Sequence, residues 1–275
     1  MIFDYEQNVW GKEEATLSFV SPTYFRLKKA LKILKKTSTG EKVLDFGCGV
    51  GRFARAFRNQ RPDLEIYGCD ISERAILKAK GERDGVIYDR IESDKIVCYP
   101  EEFFENIFVF DVLEHAENPE AVLTELKRIL KNDGSIFLQV PCEGDFLSLW
   151  FWLDKIGLKK DLTKKFAGHV NFWSRKNLLI LLKKCGFKVE KLYYGDHLLG
   201  QMAGVLAFYL TSMQARKKGT TVYNNETCMS ELKESRGMGW SALGKTANFF
   251  INLEDLVWQK FPSANVFCVL KKKLD

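Results

Sequence analysis

The run Lys42-Val43-Leu44-Asp45-Phe46 leads without a spacer into Gly47-Cys48-Gly49-Val50-Gly51, and Arg52 to Asn59 follow with Phe53, Ala54 and Phe57 at helical spacing. A short apolar strand that ends in a glycine turn and opens a helix is the first unit of a parallel α/β sheet, and it commits the chain to alternate strand and helix. Glu65 to Cys69 reads as a second strand, Ser72 to Lys80 as a second helix, Val86 to Tyr88 as a weak strand and Ile107 to Phe110 as a strong one. A helix from about Pro119 to Lys131 stops at Asn132-Asp133-Gly134, and Ser135 to Val140 is a buried strand ended by Pro141. Ser174 to Cys185 reads as a helix, Phe187 to Tyr194 as a strand and Asn265 to Lys271 as the last strand. Ahead of the turn, Ser21-Pro22 supplies the N-cap and first residue of an amphipathic helix through Phe25, Leu27, Leu31 and Leu34.

A chain of 275 residues can bury an ordinary core as one large domain with insertions. The stretch 195–263 is too long for a connection within a compact sheet, so it carries its own helices. The expected organisation is an N-terminal helical lid over 1–39 and a core over 40–194 with an apolar insertion at about 143–167. A helical cap over 195–263 and the last core strand over 264–275 complete it. Seven cysteines without a Cys-x-x-Cys pair argue against a zinc ribbon, a redox pair or a disulfide framework. The first residues lack a basic start and an apolar run, so the expected location is the cytoplasm. The net charge of +6 comes from lysines dispersed along the chain, which permits nucleic-acid binding without implying it. The longest apolar stretch, Leu198 to Met213, is shorter than the roughly 20 residues of a spanning helix.

Glycines at 47, 49 and 51 let the backbone approach a ligand closely. The dinucleotide fingerprint G-x-G-x-x-G would need glycine where Arg52 stands, so a pyrophosphate cradle is disfavoured. Asp70, at the end of the second strand, stands at the distance expected of an acid that accepts hydrogen bonds from both ribose hydroxyls.

Val43-Leu44-Asp45-Phe46-Gly47-Cys48-Gly49-Val50-Gly51 resembles motif I of the class I S-adenosylmethionine (SAM) dependent methyltransferases, and Gly68-Cys69-Asp70-Ile71-Ser72 resembles their motif II. Val109-Phe110-Asp111-Val112-Leu113-Glu114-His115 is similar to the fourth-strand motif of the small-molecule branch, which includes the ubiquinone-biosynthesis O-methyltransferases. Leu126 to Gly134, Phe137 to Pro141 and Gly168 to Ser174 continue the likeness, which covers roughly residues 40 to 194 and the final strand. It implies a Rossmann-like sheet of seven strands, mostly parallel with the last antiparallel, and SAM as methyl donor with S-adenosylhomocysteine as product. The candidate cofactor residues are Asp45, Phe46, Gly47, Cys48, Gly49, Gly51, Asp70, Ile71, Asp94, Phe110 and Asp111. Asp45 supports the turn, Asp70 holds the ribose and Ile71 meets the adenine face. Asp94 is assigned to the adenine amine, with Asp89 and Glu92 as competitors.

Methyl transfer from a sulfonium is an in-line displacement in which positioning supplies much of the rate, and a histidine is the usual helper where the acceptor is a hydroxyl. His169 and His115 are the candidate catalytic residues, with His169 preferred because it lies toward the carboxyl end of the sheet. Asp111, Glu114 and His115 stand at spacings that one helical turn could bring together, and the resemblance associates that cluster with a divalent metal. The expectation is nevertheless that no metal is used. The fourth strand lacks the Asn/Asp-Pro-Pro-Tyr/Phe pattern of amino-methylating enzymes, and Cys142 does not stand in the setting of a nucleophilic cysteine.

Phe146 to Phe166 combines large apolar residues with lysines, and the apolar Leu198 to Met213 is followed by Arg216-Lys217-Lys218. They read as segments that pack on each other over the substrate, or as a surface for peripheral membrane contact. Either reading makes the acceptor pocket apolar, so the expected reaction is methylation of a small, apolar or lipid-like acceptor, at oxygen first. A non-catalytic SAM-binding subunit that docks a partner or membrane, and an RNA methyltransferase, are the alternatives.

Overall fold

The computed structural model describes residues 4–92, 99–158, 162–220 and 222–273. In chain order the elements are α1 (Tyr24–Leu34), β1 (Lys42–Phe46), α2 (Arg52–Gln60), β2 (Glu65–Asp70), α3 (Glu73–Gly81), β3 (Ile87–Arg90), β4 (Phe104–Phe110) and α4 (Pro119–Ile129). They continue with β5 (Leu130–Pro141), α5 (Leu149–Lys155), α6 (Leu162–Phe166), α7 (Arg175–Lys184), β6 (Phe187–Gly195), α8 (Leu198–Lys218), α9 (Asn225–Trp258) and β7 (Asn265–Lys272). The strands form one sheet in the order β3-β2-β1-β4-β5-β7-β6. The pairings from β3 to β5 are parallel, and β7 runs antiparallel between β5 and β6. Strand order reverses between β1 and β4, which opens a crevice beyond their carboxyl ends.

Successive strand residues face opposite sides, so an apolar run such as Val43-Leu44 feeds two cores. Val43, Ile66, Phe108 and Phe137 pack with Phe25, Leu34, Phe53, Phe57 and Ile76 from α1, α2 and α3. Leu44, Ile107, Val109 and Leu138 pack on the other face with Leu123 and Leu126 of α4 and Leu178 and Leu182 of α7. Helices cover both faces, as a parallel sheet requires.

Several boundaries differ from the sequence pattern: β4 begins at Phe104, three residues before the expected Ile107, and two further differences have a local cause. α1 begins at Tyr24 with Thr23 at the cap position, because the Ser21 carbonyl closes a turn onto the Tyr24 N–H and also accepts from Asn252. α4 ends at Ile129, two residues early, because the buried Leu130 pairs with Phe104 and starts β5 there.

α8 and α9 lie between β6 and β7. α9 is broken at Gly237, whose φ of 63° and ψ of −148° are non-helical. The two apolar segments do meet: Val205, Phe208, Tyr209 and Leu210 pack against the cluster that holds Trp150, Leu162 and Phe166, and the Phe208 ring lies edge-on to Trp150. Among the described residues no helix is long and apolar enough to cross a membrane.

Candidate active site

The glycine turn leaves β1 at the sheet reversal, and its geometry explains its composition. Gly49 has φ of +55°, and a Cβ there would lie 2.6 Å from the Trp10 carbonyl oxygen, which accepts from the Val50 N–H at 3.0 Å. Gly51 has φ of +84°, and its Cβ would overlap the Tyr88 hydroxyl. The turn is therefore clamped between the N-terminal segment and β3. α2 has Gly51 at its cap position and no side-chain cap of its own. Asp45 supplies one from β1, since its Oδ2 accepts from the Ala54 N–H at 3.1 Å. Burial is the largest influence on Asp45 and pushes it up to about 7.

Asp70 accepts from the Gly49 N–H at 2.8 Å with one oxygen and from the Ser72 N–H at 2.9 Å with the other. Each carboxylate oxygen carries a further lone pair for a ligand hydroxyl. A cavity of about 820 Å³ runs from this acid to α8. Phe46, Gly47, Cys48, Ile71, Phe110 and Asp111 line it together with Asp45, Gly49 and Asp70, whereas Gly51 does not. Asp94 lies outside the described residues; of its competitors, Glu92 lines the cavity and Asp89 accepts from the Tyr99 hydroxyl. Among the described lining residues carboxylates outnumber cations, which are Arg26 and Arg52, and no lysine contributes. Such a lining suits a cationic sulfonium and opposes a polyphosphate.

The segment after α6 carries His169 and is stitched to the loop after β4. The Val170 and Asn171 N–H groups donate to the Glu114 carbonyl, and the Asn171 side chain donates to the Leu113 and Ala116 carbonyls. This lattice brings the His115 and His169 rings to 5.0 Å between centroids. His169 Nδ1 lies 2.8 Å from Glu143 Oε1, and Glu143 Oε2 accepts from the Thr163 hydroxyl at 2.9 Å. A carboxylate on Nδ1 fixes the imidazole's orientation and leaves the Nε2 lone pair free. His115 Nδ1 lies 3.2 Å from the Gly168 carbonyl, and burial first, then His169, pushes it down to about 3, so this ring is neutral.

The sequence spacing of Asp111, Glu114 and His115 does not produce one helical turn. Residues 111–118 are irregular, Asp111 has φ of +52°, and its carboxylate is held by Arg26 Nη1 and Gln139 Nε2, each at 2.7 Å. Glu114, His115 and His169 instead offer one ligand-type atom each within 4.8 Å of one another. Both Glu114 carboxyl oxygens are buried without a hydrogen-bond partner among the described residues. Burial, then the Asp111 carboxylate, pushes Glu114 well above the usual carboxylate range.

The sequence pattern did not single out Glu143, Thr163 or Glu226. Glu143 stands just past the carboxyl end of β5, where open α/β sheets place their sites, and that position was its one available signal. Glu226, in the first turn of α9, accepts from the Gly11 and Glu13 N–H groups at 2.8 and 3.2 Å and pairs with Arg52 at 3.0 Å.

The family model for a methyltransferase domain matches residues 20–192. The chain belongs to that family. This methyltransferase is 32% identical over 161 residues to an uncharacterised protein of Methanocaldococcus jannaschii, covering 58% of this chain and 71% of that one. A ubiquinone biosynthesis O-methyltransferase of Glaesserella parasuis is 30% identical over 107 residues, covering 36% of this chain and 44% of its own length. The methyltransferase thus spans under half of that relative. Among solved structures, the [4+2]-cyclase SpnF overlays with a TM-score of 0.58 at 14% identity, covering 99% of this chain and 88% of that one. A Haemonchus contortus phosphoethanolamine N-methyltransferase 2, solved with S-adenosylhomocysteine, overlays with a TM-score of 0.54 at 17% identity, covering 92% of this chain and 54% of that one. These overlays establish the Rossmann-like fold. The enzyme is a SAM-dependent methyltransferase, and the acid-lined cavity beside the glycine turn, with Asp70 open to a ligand hydroxyl, fits that donor.

Proposed function

We propose that this methyltransferase methylates a hydroxyl of a small, apolar, lipid-like acceptor, with His169 as general base. The observation that carries this reading is the Glu143–His169 pair inside the same cavity as the cofactor turn. SAM supplies an electrophilic methyl on a sulfonium and leaves as the neutral thioether. His169 takes the acceptor's hydroxyl proton on Nε2 as the acceptor oxygen takes the methyl. Glu143 holds the imidazole in the required tautomer and offsets the charge it gains, and Thr163 holds Glu143. Trp150, Gly204 and Phe208 line the part of the cavity under α5 and α8, which supports an apolar acceptor. In this reading the segment 1–39 closes over the donor, and 195–263 caps the acceptor. An RNA acceptor is disfavoured by the acid-rich lining.

A second reading is favoured by the orphaned Glu114 carboxyl: Glu114, His115 and His169 hold a divalent cation that orients the acceptor oxygen. Turnover separates donor binding from base catalysis. Wild type should release S-adenosylhomocysteine when given lipid extracts. His169→Asn should lose about 100-fold or more of that rate while binding SAM normally in calorimetry. Asp70→Ala should lose SAM binding itself. Full turnover by His169→Asn overturns the base assignment.

A further inference from the structure

α8 presents two faces of different use. Gly200, Gly204 and Phe208, spaced by four, line the cavity. Leu198, Met202 and Leu206, also spaced by four, and Met213 beyond them are each more than half exposed. At 3.6 residues per turn these four fall within an arc of about 80°, so they form one outer stripe. α8 contains no acid along its length, and its last turn is Arg216-Lys217-Lys218.

The segment around α5 extends this face. The Leu149 N–H donates to Gln201 Oε1 at 2.6 Å, Gln201 Nε2 donates to the Leu147 carbonyl at 3.1 Å, and the Tyr209 hydroxyl donates to the Leu158 carbonyl at 2.7 Å. Phe146, Trp152, Ile156 and Leu158, on the segment so attached, are also exposed. Asp154 is the single acid between Phe146 and Leu158. Lys155, Lys164, Lys165, Arg216 and Lys217 are exposed, and none makes an ion pair among the described residues.

An exposed apolar stripe bordered by cations, with Asp154 and, at the start of α8, Glu254 as its acids, is complementary to anionic headgroups over acyl chains. Apolar contacts of Leu and Met, with Trp at the edge, suit an acyl boundary better than a protein interface built on Tyr and Arg. The wall between this stripe and the acceptor end of the cavity is one helix, about 10 Å thick. We infer that the α5–α8 face docks on an anionic lipid surface, from which the cavity takes its lipidic acceptor. This inference rests on the proposed apolar acceptor.

The test is sedimentation of the full chain with vesicles of phosphatidylcholine alone and of phosphatidylcholine with phosphatidylglycerol in equal parts. The methyltransferase should sediment with the mixed vesicles, less so as salt rises. Met202→Glu with Leu206→Glu should abolish binding, and Arg216→Gln with Lys217→Gln should weaken it about fivefold per cation. Both double variants should keep the wild-type SAM affinity and circular dichroism, which excludes misfolding. Three results would each overturn the inference: no sedimentation, sedimentation indifferent to Met202→Glu with Leu206→Glu, or a wild-type dimer that this pair dissociates while the vesicles are ignored. Vesicle binding needs no acceptor, so its failure leaves the methylation assay unaffected. Conversely, vesicle binding without methylation of any lipid extract refutes the acceptor reading alone.

Discussion

Glu226 Oε1 lies 3.0 Å from Arg52 Nη2, which joins the first turn of α9 to the first turn of α2 across more than half of the chain. The same carboxylate holds the Gly11 and Glu13 N–H groups, so one side chain fastens the N-terminal segment over the glycine turn. Both partners are largely buried, and hydrogen bonds to a charged group are worth about 1.5–3 kcal/mol. Glu226→Ala should therefore raise the SAM dissociation constant about 10- to 100-fold. Amides at 8–14 should exchange hydrogen faster in the variant. Unchanged protection there would mean that other contacts hold the segment.

Glu143 should act on rate and not on cofactor affinity. Glu143→Gln keeps the shape and can still bond Nδ1, but it removes the charge that offsets a protonated His169. Turnover should fall roughly 10- to 100-fold with SAM affinity intact, a smaller loss than for His169→Asn. A Glu143→Gln enzyme with wild-type turnover would leave the pair as structure only.

The contrast between Asp70 and Glu143 shows how far local pattern reached. Asp70 was legible because strand, turn and acid lie within one βαβ unit, where spacing along the chain fixes spacing in the fold. The central strands β1, β4 and β7 were legible as near-continuous apolar runs buried on both faces, whereas the edge strands β3 and β6 are partly exposed and gave a weaker pattern. Glu143 and His169 are 26 residues apart, and they meet because the Thr163 hydroxyl donates to Glu143 and the Gly144 N–H to the Trp173 carbonyl, while Asn171 ties the His169 segment to residues 113–116. No periodicity announces such a lattice. Asp111 misled the helical-turn reading because Arg26, 85 residues earlier, pulls it into a left-handed conformation off the loop. Glu226 and Gly11 are 215 residues apart, beyond any local signal.

Asp255 gives a prediction for stability. It is buried where the chain leaves β6 for α8, and its Oδ1 has no hydrogen-bond partner among the described residues. Burial, then the neighbouring Asp196 carboxylate, pushes it up to about 8. The folded protein holds this proton more tightly than the unfolded chain does. Stability from the group is full below about pH 4, the ordinary carboxyl value, and is lost as pH rises toward the folded value. The limiting loss is about 1.4 kcal/mol per pH unit. Asp255→Asn should thus stabilise the protein more at pH 7.5 than at pH 5 in urea denaturation. An equal gain at both pH values would place the raised value elsewhere.

Glu114 decides between the two readings of the histidine pair. Burial and Asp111 push its carboxyl well above the usual carboxylate range, and the adjacent His115 is neutral, so the pair is compatible with the base reading, in which His169 keeps its Nε2 for the acceptor. That reading predicts turnover indifferent to chelator. Glu114→Gln, nearly isosteric with the neutral acid, should then stay within about tenfold of wild type. A cation would reverse the local logic, drawing the Glu114 proton off and occupying His169. Chelator would then abolish turnover, magnesium or manganese would restore it, and Glu114→Gln would be inactive with either ion. Assays of both proteins with chelator and with each metal are expected to give the first pattern. The second would transfer the role of His169 from proton acceptor to ligand and leave the Glu143 pair as the bond that orients it.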